Sequence, residues 1–389
     1  MNILHIANSY GGTEVYRRLF AGLDSLGCRQ QVFVPLNSRN HDRIGKQAID
    51  FSVAGSALHY STRLKWWHKF CFRQKIKAIV GAVEDTIDMS KVDIIHAHML
   101  CVDGSVAREL AERHSKPYVT TVRNTDLNSY FKWFPWERGQ FLQTLGSAAH
   151  VVFLGPKYRR KLAEYASRSR FREKILRNSS IIPSGIDPVF LEHRHCHGMM
   201  PHAPARLVFV GAFYEGKGLL ETIQAADTLR DRGVEIELTA IGRGLPQRPH
   251  DRPYIAKVEA LAAGRPWVAL KDHMPHGQLV DELRENDVFV MPSSPESFGL
   301  VYIEAMSQGL PIIYTRDEGF DGYYEDGAVG WPVNPRKPAG IADKIESVLK
   351  DYGGFAKRVA DLDLERDFSW PRIAQKYKDL YSSILGSGK

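Results

Sequence analysis

Short apolar runs rich in β-branched residues alternate along the chain with stretches whose apolar residues recur every three to four positions. Ile3 to Ala7 reads as a strand, then Gly11-Gly12-Thr13, then a helix with Val15, Leu19, Leu23 and Leu26 on one face and Gly27 at its end. Strands are expected at Gln31–Pro35, Val92–Ala97, Tyr118–Val122, His150–Leu154 and Ser180–Ile182, with helical segments between most of them. The pattern breaks over Pro183–Pro204, which holds four Pro, two Gly and four His without periodicity and reads as a domain boundary. A second series starts at Leu207–Gly211. It continues with a helix from Leu219, strands at Glu235–Ile241 and Val288–Met291, a helix at Leu300–Ser307 closed by Gly309, and a strand at Pro311–Tyr314. Two α/β domains, each a parallel sheet covered on both faces, are expected to face an interdomain cleft, with ligands at the carboxyl ends of the strands.

Composition changes this picture little. The 389 residues are 43% hydrophobic and 25% charged, which excludes a disordered, collagenous or coiled-coil chain. No run approaches the ~18 apolar residues of a membrane span, and Met1–Ala7 lacks the start of a secretory signal, so a cytoplasmic location is expected. Cys28, Cys71, Cys101 and Cys196 are too scattered for a disulfide framework or a zinc site.

Charge is more informative. Residues 1–188 carry 28 Lys and Arg against 16 Asp and Glu, net +12; residues 189–389 carry 24 against 29, net −5; together they give +7. The first half is therefore expected to meet something anionic: nucleic acid, an anionic membrane or a phosphorylated substrate.

The densest candidate chemistry runs from Met291 to Pro311. A strand ends, a Pro- and Ser-rich turn carries Glu296, Gly299 opens a helix, and Glu304 lies about one and a half turns further on. A helix start offers free N–H groups to a diphosphate, and carboxylates accept pairs of hydroxyl hydrogens. That combination suits a nucleotide sugar. Two glutamates eight apart are also common, and Glu304 could simply face solvent.

The Glu296–Glu304 E-x7-E run, followed by Ala-Met and Gly309-Leu-Pro311, resembles the retaining family-4 glycosyltransferases of GT-B fold. Supporting motifs span nearly the whole chain. They are Asn2–Ile6 with Gly11-Gly12-Thr13-Glu14, Asp93–His98, Ile182–Asp187, Gly211–Gly218 and Ile241–Gly244. The resemblance implies an acceptor-binding domain at 1–185, a linker at 186–205, a donor domain at 206–370 and a C-terminal helix at about 371–385 packing back on the first domain. It implies that Glu304 holds the donor ribose and Glu296 the transferred sugar. The backbone at Phe298, Gly299 and Leu300 would hold sugar and phosphate oxygens. Lys217, in the loop from Gly211, would neutralise the departing diphosphate, which Gly11 and Gly12 approach from the first domain. The donor would be a UDP- or GDP-sugar, with no metal and no cofactor.

Two positions depart from the family pattern. Ala212 stands where an Arg is usual, so Lys217 acts alone or Arg243 takes over. Arg123 follows the Thr-Val strand where many relatives have His. Arg123, Asn124 and Asp126 remain acceptor or sugar candidates, with an Arg123–Asp126 ion pair as the alternative. His98, at a strand end, is the acceptor-side histidine, and a metal site at His193–His197 is disfavoured.

Residues 63–77 carry six basic residues and no acid, interleaved with Trp66, Trp67, Phe70 and Phe72. If one helix runs from here to about residue 87, Phe72, Ile76, Ile79, Val80 and Val83 form its core stripe. Trp66, Trp67, Phe70, Arg63, Arg73 and Lys77 then face outward, as in an interfacial membrane contact. Lys157–Arg177 adds net +7. Solvated faces, with the tryptophans packed on a neighbouring domain or partner, are the alternative. The expected protein is a hexosyltransferase of polysaccharide or lipopolysaccharide assembly, peripheral at the inner face of the plasma membrane. A GT-B epimerase or phosphorylase is the nearest rival, and a nucleic-acid binder the rival of a different class. Asn8–Thr13 lacks G-x-G-x-x-G, which counts against a nicotinamide oxidoreductase.

Overall fold

In the computed structural model, which describes residues 1–37, 40–244 and 251–386 (Lys69 by its backbone), the alternation resolves into two all-parallel sheets. Contacts divide the chain into unit 1, residues 1–154, 158–185 and 370–389, and unit 2, residues 155–157 and 186–369.

Unit 1 contains β1 (Asn2–Ile6), β2 (Arg29–Asn37), β3 (Ala57–Leu64), β4 (Ile94–Ala97), β5 (Tyr118–Val122), β6 (His150–Phe153) and β7 (Ser179–Ile181) in the order β3-β2-β1-β4-β5-β6-β7. The apolar stripe of helix Glu14–Ser25 packs on one face of the sheet. The C-terminal helix Trp370–Gly386 lies beside it, with Ile373, Tyr377 and Tyr381 buried. Helix Phe72–Thr86 covers the other face through Ile76, Ile79, Val80 and Val83, with Phe72 packed at the margin.

Unit 2 contains β8 (Ala205–Val210), β9 (Ile236–Arg243), β10 (Val268–Asp272), β11 (Val288–Val290), β12 (Ile312–Thr315) and β13 (Gly330–Val333) in the order β10-β9-β8-β11-β12-β13. In each sheet the winding reverses next to the first strand, between β1 and β4 and between β8 and β11. Ligand-binding crevices of open α/β sheets form at such points.

Two expectations change. Residues 63–87 are not one helix: β3 ends at buried Leu64, a 3-10 turn covers Trp66–Lys69, and the helix starts at Phe72. The segment after Gly185, expected as a linker over 186–205, groups with unit 2 from Ile186 onward. It forms a short helix, Pro188–Glu192, and then adheres to unit 2, where the His195 N–H donates to the Ser307 carbonyl at 3.0 Å and His202 Nδ1 lies 2.8 Å from Asp287.

Candidate active site

The site in unit 2 is assembled by three loops at the carboxyl ends of β8, β9 and β11. The Gly211 N–H donates to Ile241, and Gly242, at φ +131°, lies so close that a Cβ there would be 2.2 Å from the Gly211 carbonyl oxygen. Only glycine permits that approach. Beyond β8 the chain makes a 3-10 turn, Glu215–Lys217, and enters helix Leu219–Asp231 through Gly218 at φ +76°. The Ser294 N–H donates to the Gly216 carbonyl at 2.7 Å, stitching the loop after β8 to the loop after β11.

This places Lys217 Nζ 2.7 Å from Glu296 Oε2. Ser293 Oγ donates to the same oxygen at 3.1 Å, the Ser297 N–H donates to Oε1 at 2.9 Å, and the Glu296 N–H donates to Glu318. Burial pulls the Lys217 pKa down, but the Glu296 carboxylate outweighs it and the net shift is upward, so Lys217 is a fixed cation.

Immediately after Glu296, helix Leu300–Ser307 starts at Gly299, φ +81°, with no side chain capping it. Its first N–H groups are left for a ligand. Tyr302 fixes the entry: its hydroxyl donates to the Met291 carbonyl at 2.7 Å, and its ring occupies the space where a Cβ on Gly299 would fall. The Phe298 side chain is buried against Phe320, Tyr323 and Phe368, which leaves its backbone to face a ligand.

Glu304 does not simply face solvent. It is densely surrounded while keeping a partly open surface, and burial raises its pKa to about 7; His276 lowers it and Asp187 raises it. Those two groups pair with each other at 3.2 Å. Asp187 also caps helix Pro188–Glu192, and His276 starts helix His276–Arg284. Sequence reasoning missed His276 and Glu318, because neither belongs to a recognisable spacing. Arg243 is engaged by Asp272, with Nε 2.7 Å from Oδ1. Donor selectivity is also expected to turn on the loop Pro246–Tyr254, of which residues 246–250 lie outside the described residues.

The candidates in unit 1 meet different fates. His98 is 1% exposed, not open to an acceptor; its Nε2 is 3.0 Å from His5 Nδ1 in a buried run that continues to His96. Burial drives the pKa of all three down, that of His5 to about 3. These three side chains have ligand-type atoms within 4.8 Å of one another. His96 already bonds Tyr381 and Thr121. Asp126 is fully buried and accepts the N–H groups of Leu100, Cys101 and Arg123, which makes it a loop anchor. The Arg123 guanidinium does not pair with Asp126: its Nε donates to the His98 carbonyl at 2.8 Å and the group lies over Tyr16. Asn124 accepts from Asn128. Gly11 and Gly12 lie against Arg43, whose Cβ would be 2.9 Å from a Cβ on Gly11.

On the basic face, Trp66 and Phe70 are 64% and 70% exposed, but Trp67 is half-buried on His68, and Arg63 is paired with Asp85. Trp133 and Trp136, 65% and 71% exposed, were not singled out from sequence. Ring contacts link Phe72 to Tyr130, Tyr130 to Phe134 and Phe134 to Trp136, which ties the start of helix Phe72–Thr86 to Trp136. No described helix is long and apolar enough to cross a membrane.

Comparison with known proteins bears on this arrangement. The family described as glycosyl transferases group 1 matches residues 200–362, and the glycosyl transferase 4-like domain matches residues 11–175. The chain is 28% identical to the D-inositol 3-phosphate glycosyltransferase of Arthrobacter sp. (strain FB24), over 96% of this chain and 90% of that one. It is 27% identical to the glycogen synthase of Mycobacterium tuberculosis, over 74% and 68%. Among solved structures, sucrose-phosphate synthase from Thermosynechococcus elongatus superposes with a TM-score of 0.71 at 19% identity over all of both chains. Anabaena Alr3699/HepE in complex with UDP-glucose gives 0.69 at 16% identity, over 98% of this chain and 100% of that one.

Proposed function

The chain belongs to the retaining family-4 glycosyltransferases of GT-B fold, enzymes that transfer sugar from a nucleotide sugar, and we propose that this one moves a hexose from a UDP-sugar to a hydroxyl of a glycan or glycolipid in cell-surface polysaccharide or lipopolysaccharide assembly. One observation carries the donor half: the Lys217–Glu296 pair stands directly before an uncapped helix start at the switch point of the unit 2 sheet. UDP is preferred to GDP because HepE was crystallised with UDP and UDP-glucose.

In this reading the N–H groups at Gly299 and Leu300 bind phosphate and sugar oxygens, and Glu304 accepts from the ribose hydroxyls. Glu296 holds the transferred sugar. Lys217 swings from Glu296 to the diphosphate as the bond to the anomeric carbon breaks and negative charge develops. The departing phosphate oxygen takes the proton of the attacking acceptor hydroxyl, on the face the leaving group vacates, which gives retention. Arg123 and Asn124 remain the acceptor-side candidates, and the His98 carbonyl anchors Arg123.

The acceptor half rests on unit 1, which carries Trp66, Phe70, Trp133 and Trp136 outward among Lys132, Arg73 and Lys77. Aromatic rings with surrounding cations suit the interface of an anionic membrane at the cytoplasmic leaflet. The test is a thermal-shift panel of nucleoside diphosphates and their sugars, followed by product analysis with and without a glycolipid acceptor. UDP should stabilise the protein, and UDP release should require acceptor. A sugar phosphate, or an isomerised nucleotide sugar formed without acceptor, would sink the transferase reading in favour of a phosphorylase or an epimerase.

A further inference from the structure

A second polar recess lies in unit 1, bordered by Arg43, which packs on Gly11 and Gly12, and by the exposed Trp66. It has a volume of about 250 Å³ and opens at the carboxyl ends of β1, β2 and β3, where Asn8 and Ser9, Asn37 and Asn40, and Leu64 and Lys65 line it. Among the described residues Arg43 and Lys75 complete three cationic side chains on its wall, and no carboxylate lines it. None of the three makes an ion pair among the described residues: Asp42, next to Arg43, is taken by Lys46 at 2.7 Å. Unpaired cations converging on one hollow are rare, because they repel one another and gain nothing from the fold.

The surrounding groups sharpen the preference for an anion. His68 is buried and its Nδ1 accepts the Lys65 N–H at 2.8 Å, which leaves Nε2 as the hydrogen-bearing nitrogen and a further donor. Burial lowers the Lys75 pKa, and the nearby acid opposing that shift is Asp103. Asp103 is itself fully buried, its pKa is raised to about 8, and its Oδ1 has no hydrogen-bond partner, so it supplies little negative charge at neutral pH. Trp66, exposed, stands at the rim with a ring face suited to an amphipathic neighbour. The volume corresponds to roughly eight waters, enough for one tetrahedral oxyanion and the first atoms of the group that carries it.

We propose that this recess, bounded by Arg43, Lys65, Lys75 and His68, is an oxyanion subsite that binds a phosphate or carboxylate borne by the acceptor. The proposal rests on the glycosyltransferase reading for the word acceptor; the oxyanion site stands without it. It restricts the acceptor to anionic molecules and divides the phosphates between the units: the donor diphosphate at the helix starts of unit 2, the acceptor anion at the side chains of unit 1.

Binding of inorganic phosphate to the full chain, followed by thermal shift and phosphorus NMR, tests the subsite directly. Wild type is expected to be stabilised by phosphate, and Lys75→Gln and Lys65→Gln each to weaken phosphate about tenfold while UDP binding stays at the wild-type level. Lys75→Arg should restore most of the affinity, which a merely structural lysine would not do. Phosphate that is displaced by UDP one for one, or that binds Lys75→Gln as it binds wild type, overturns the proposal.

Two arms separate the sources of the anion. Glucose 6-phosphate that raises turnover of UDP-sugar, with a KM increased by Lys75→Gln at nearly unchanged kcat, identifies a free phosphosugar. Vesicles of phosphatidylcholine and phosphatidylglycerol that bind in a Lys75-dependent way, with glucose 6-phosphate inert, identify a lipid headgroup. Failure of both arms overturns the acceptor assignment. Failure of UDP to stabilise wild type while phosphate still binds removes the glycosyltransferase reading and leaves the oxyanion site.

Discussion

Lys217 and Glu296 come from loops after different strands, 79 positions apart, and meet at 2.7 Å with their side chains largely withdrawn from water. Each holds the other in place before a nucleotide arrives. Lys217→Ala is therefore expected to lower kcat at least a hundredfold, about 2.7 kcal/mol or more, the scale of losing one fixed donor to developing charge. Glu296→Gln should cost less, because the amide can still accept a hydrogen bond. The double variant should fall short of the product of the two losses. Additive effects in a double-mutant cycle of UDP-sugar turnover would contradict this coupling.

Glu304 binds its proton more tightly in the folded chain than in the unfolded one, about 7 against 4.5, with burial as the first cause. The sign follows from linkage: between these values the folded state holds more protons, so stability contributed here falls as pH rises from about 4.5 to about 7. Glu304→Gln is expected to raise the melting temperature at pH 8 and to remove nucleotide binding. If ribose hydroxyls donate to the carboxylate, UDP affinity should rise from pH 6 to pH 8. Calorimetry in buffers of different ionisation enthalpy should then detect proton release on binding at pH 6.5.

Gly242 and Gly211 close the floor of the same site. Gly242→Ala adds a Cβ at a positive φ and drives it against a carbonyl oxygen 2.2 Å away. A loss of about 3 kcal/mol in denaturant stability is expected, with donor KM raised as the loop after β8 is displaced. Gly233→Ala, where a Cβ meets open space at a φ that is also positive (+84°), is the control and should cost about 1 kcal/mol.

The outward aromatics separate into two behaviours. Replacing Trp66 and Trp133 by Ala should reduce flotation with phosphatidylglycerol vesicles several-fold at low salt and leave the melting temperature unchanged. Trp67→Ala should do the reverse, since its ring lies on His68 at 3.9 Å. Equal flotation of wild type and the double variant would end the membrane assignment.

What was legible in the sequence follows burial. The central strands, with both faces covered, read as continuous apolar runs and could be placed within a residue or two. The three strands that went unnoticed, β3, β10 and β13, are all sheet edges. Ala57–Leu64 is half-buried for most of its length, Val268–Asp272 has no buried residue, and Gly330–Val333 contains Pro332, which an edge tolerates. The same limit applies to the sites. Lys217, Glu296 and Glu304 lie within local spacings and could be named as candidates from the sequence. Lys75, Arg43 and His68 converge only because β2 and the unforeseen β3 lie side by side, so no pattern along the chain announces the recess.

The buried histidines and Glu304 set opposing pH dependences in the two units. In unit 1, His5 is lowered to about 3 by burial, and His96 and His98 well below 6.5. The unfolded chain takes up protons on these imidazoles below about 6.5 while the folded chain does not, so stability is lost as pH falls through that value and keeps falling toward the folded pKa. Each imidazole contributes about 1.4 kcal/mol per pH unit, so three give about 4 kcal/mol per unit at the steepest point. Unit 2 gains from Glu304 over the same descent. Acidification from pH 7 to pH 5 should therefore separate unfolding into two steps, with unit 1 first. Amide hydrogen exchange should show protection lost in β1, β4 and the C-terminal helix while β8, β11 and helix 300–307 stay protected. His5→Phe should flatten the slope of the first step by about a third. A single cooperative loss of protection across both sheets would refute the opposition.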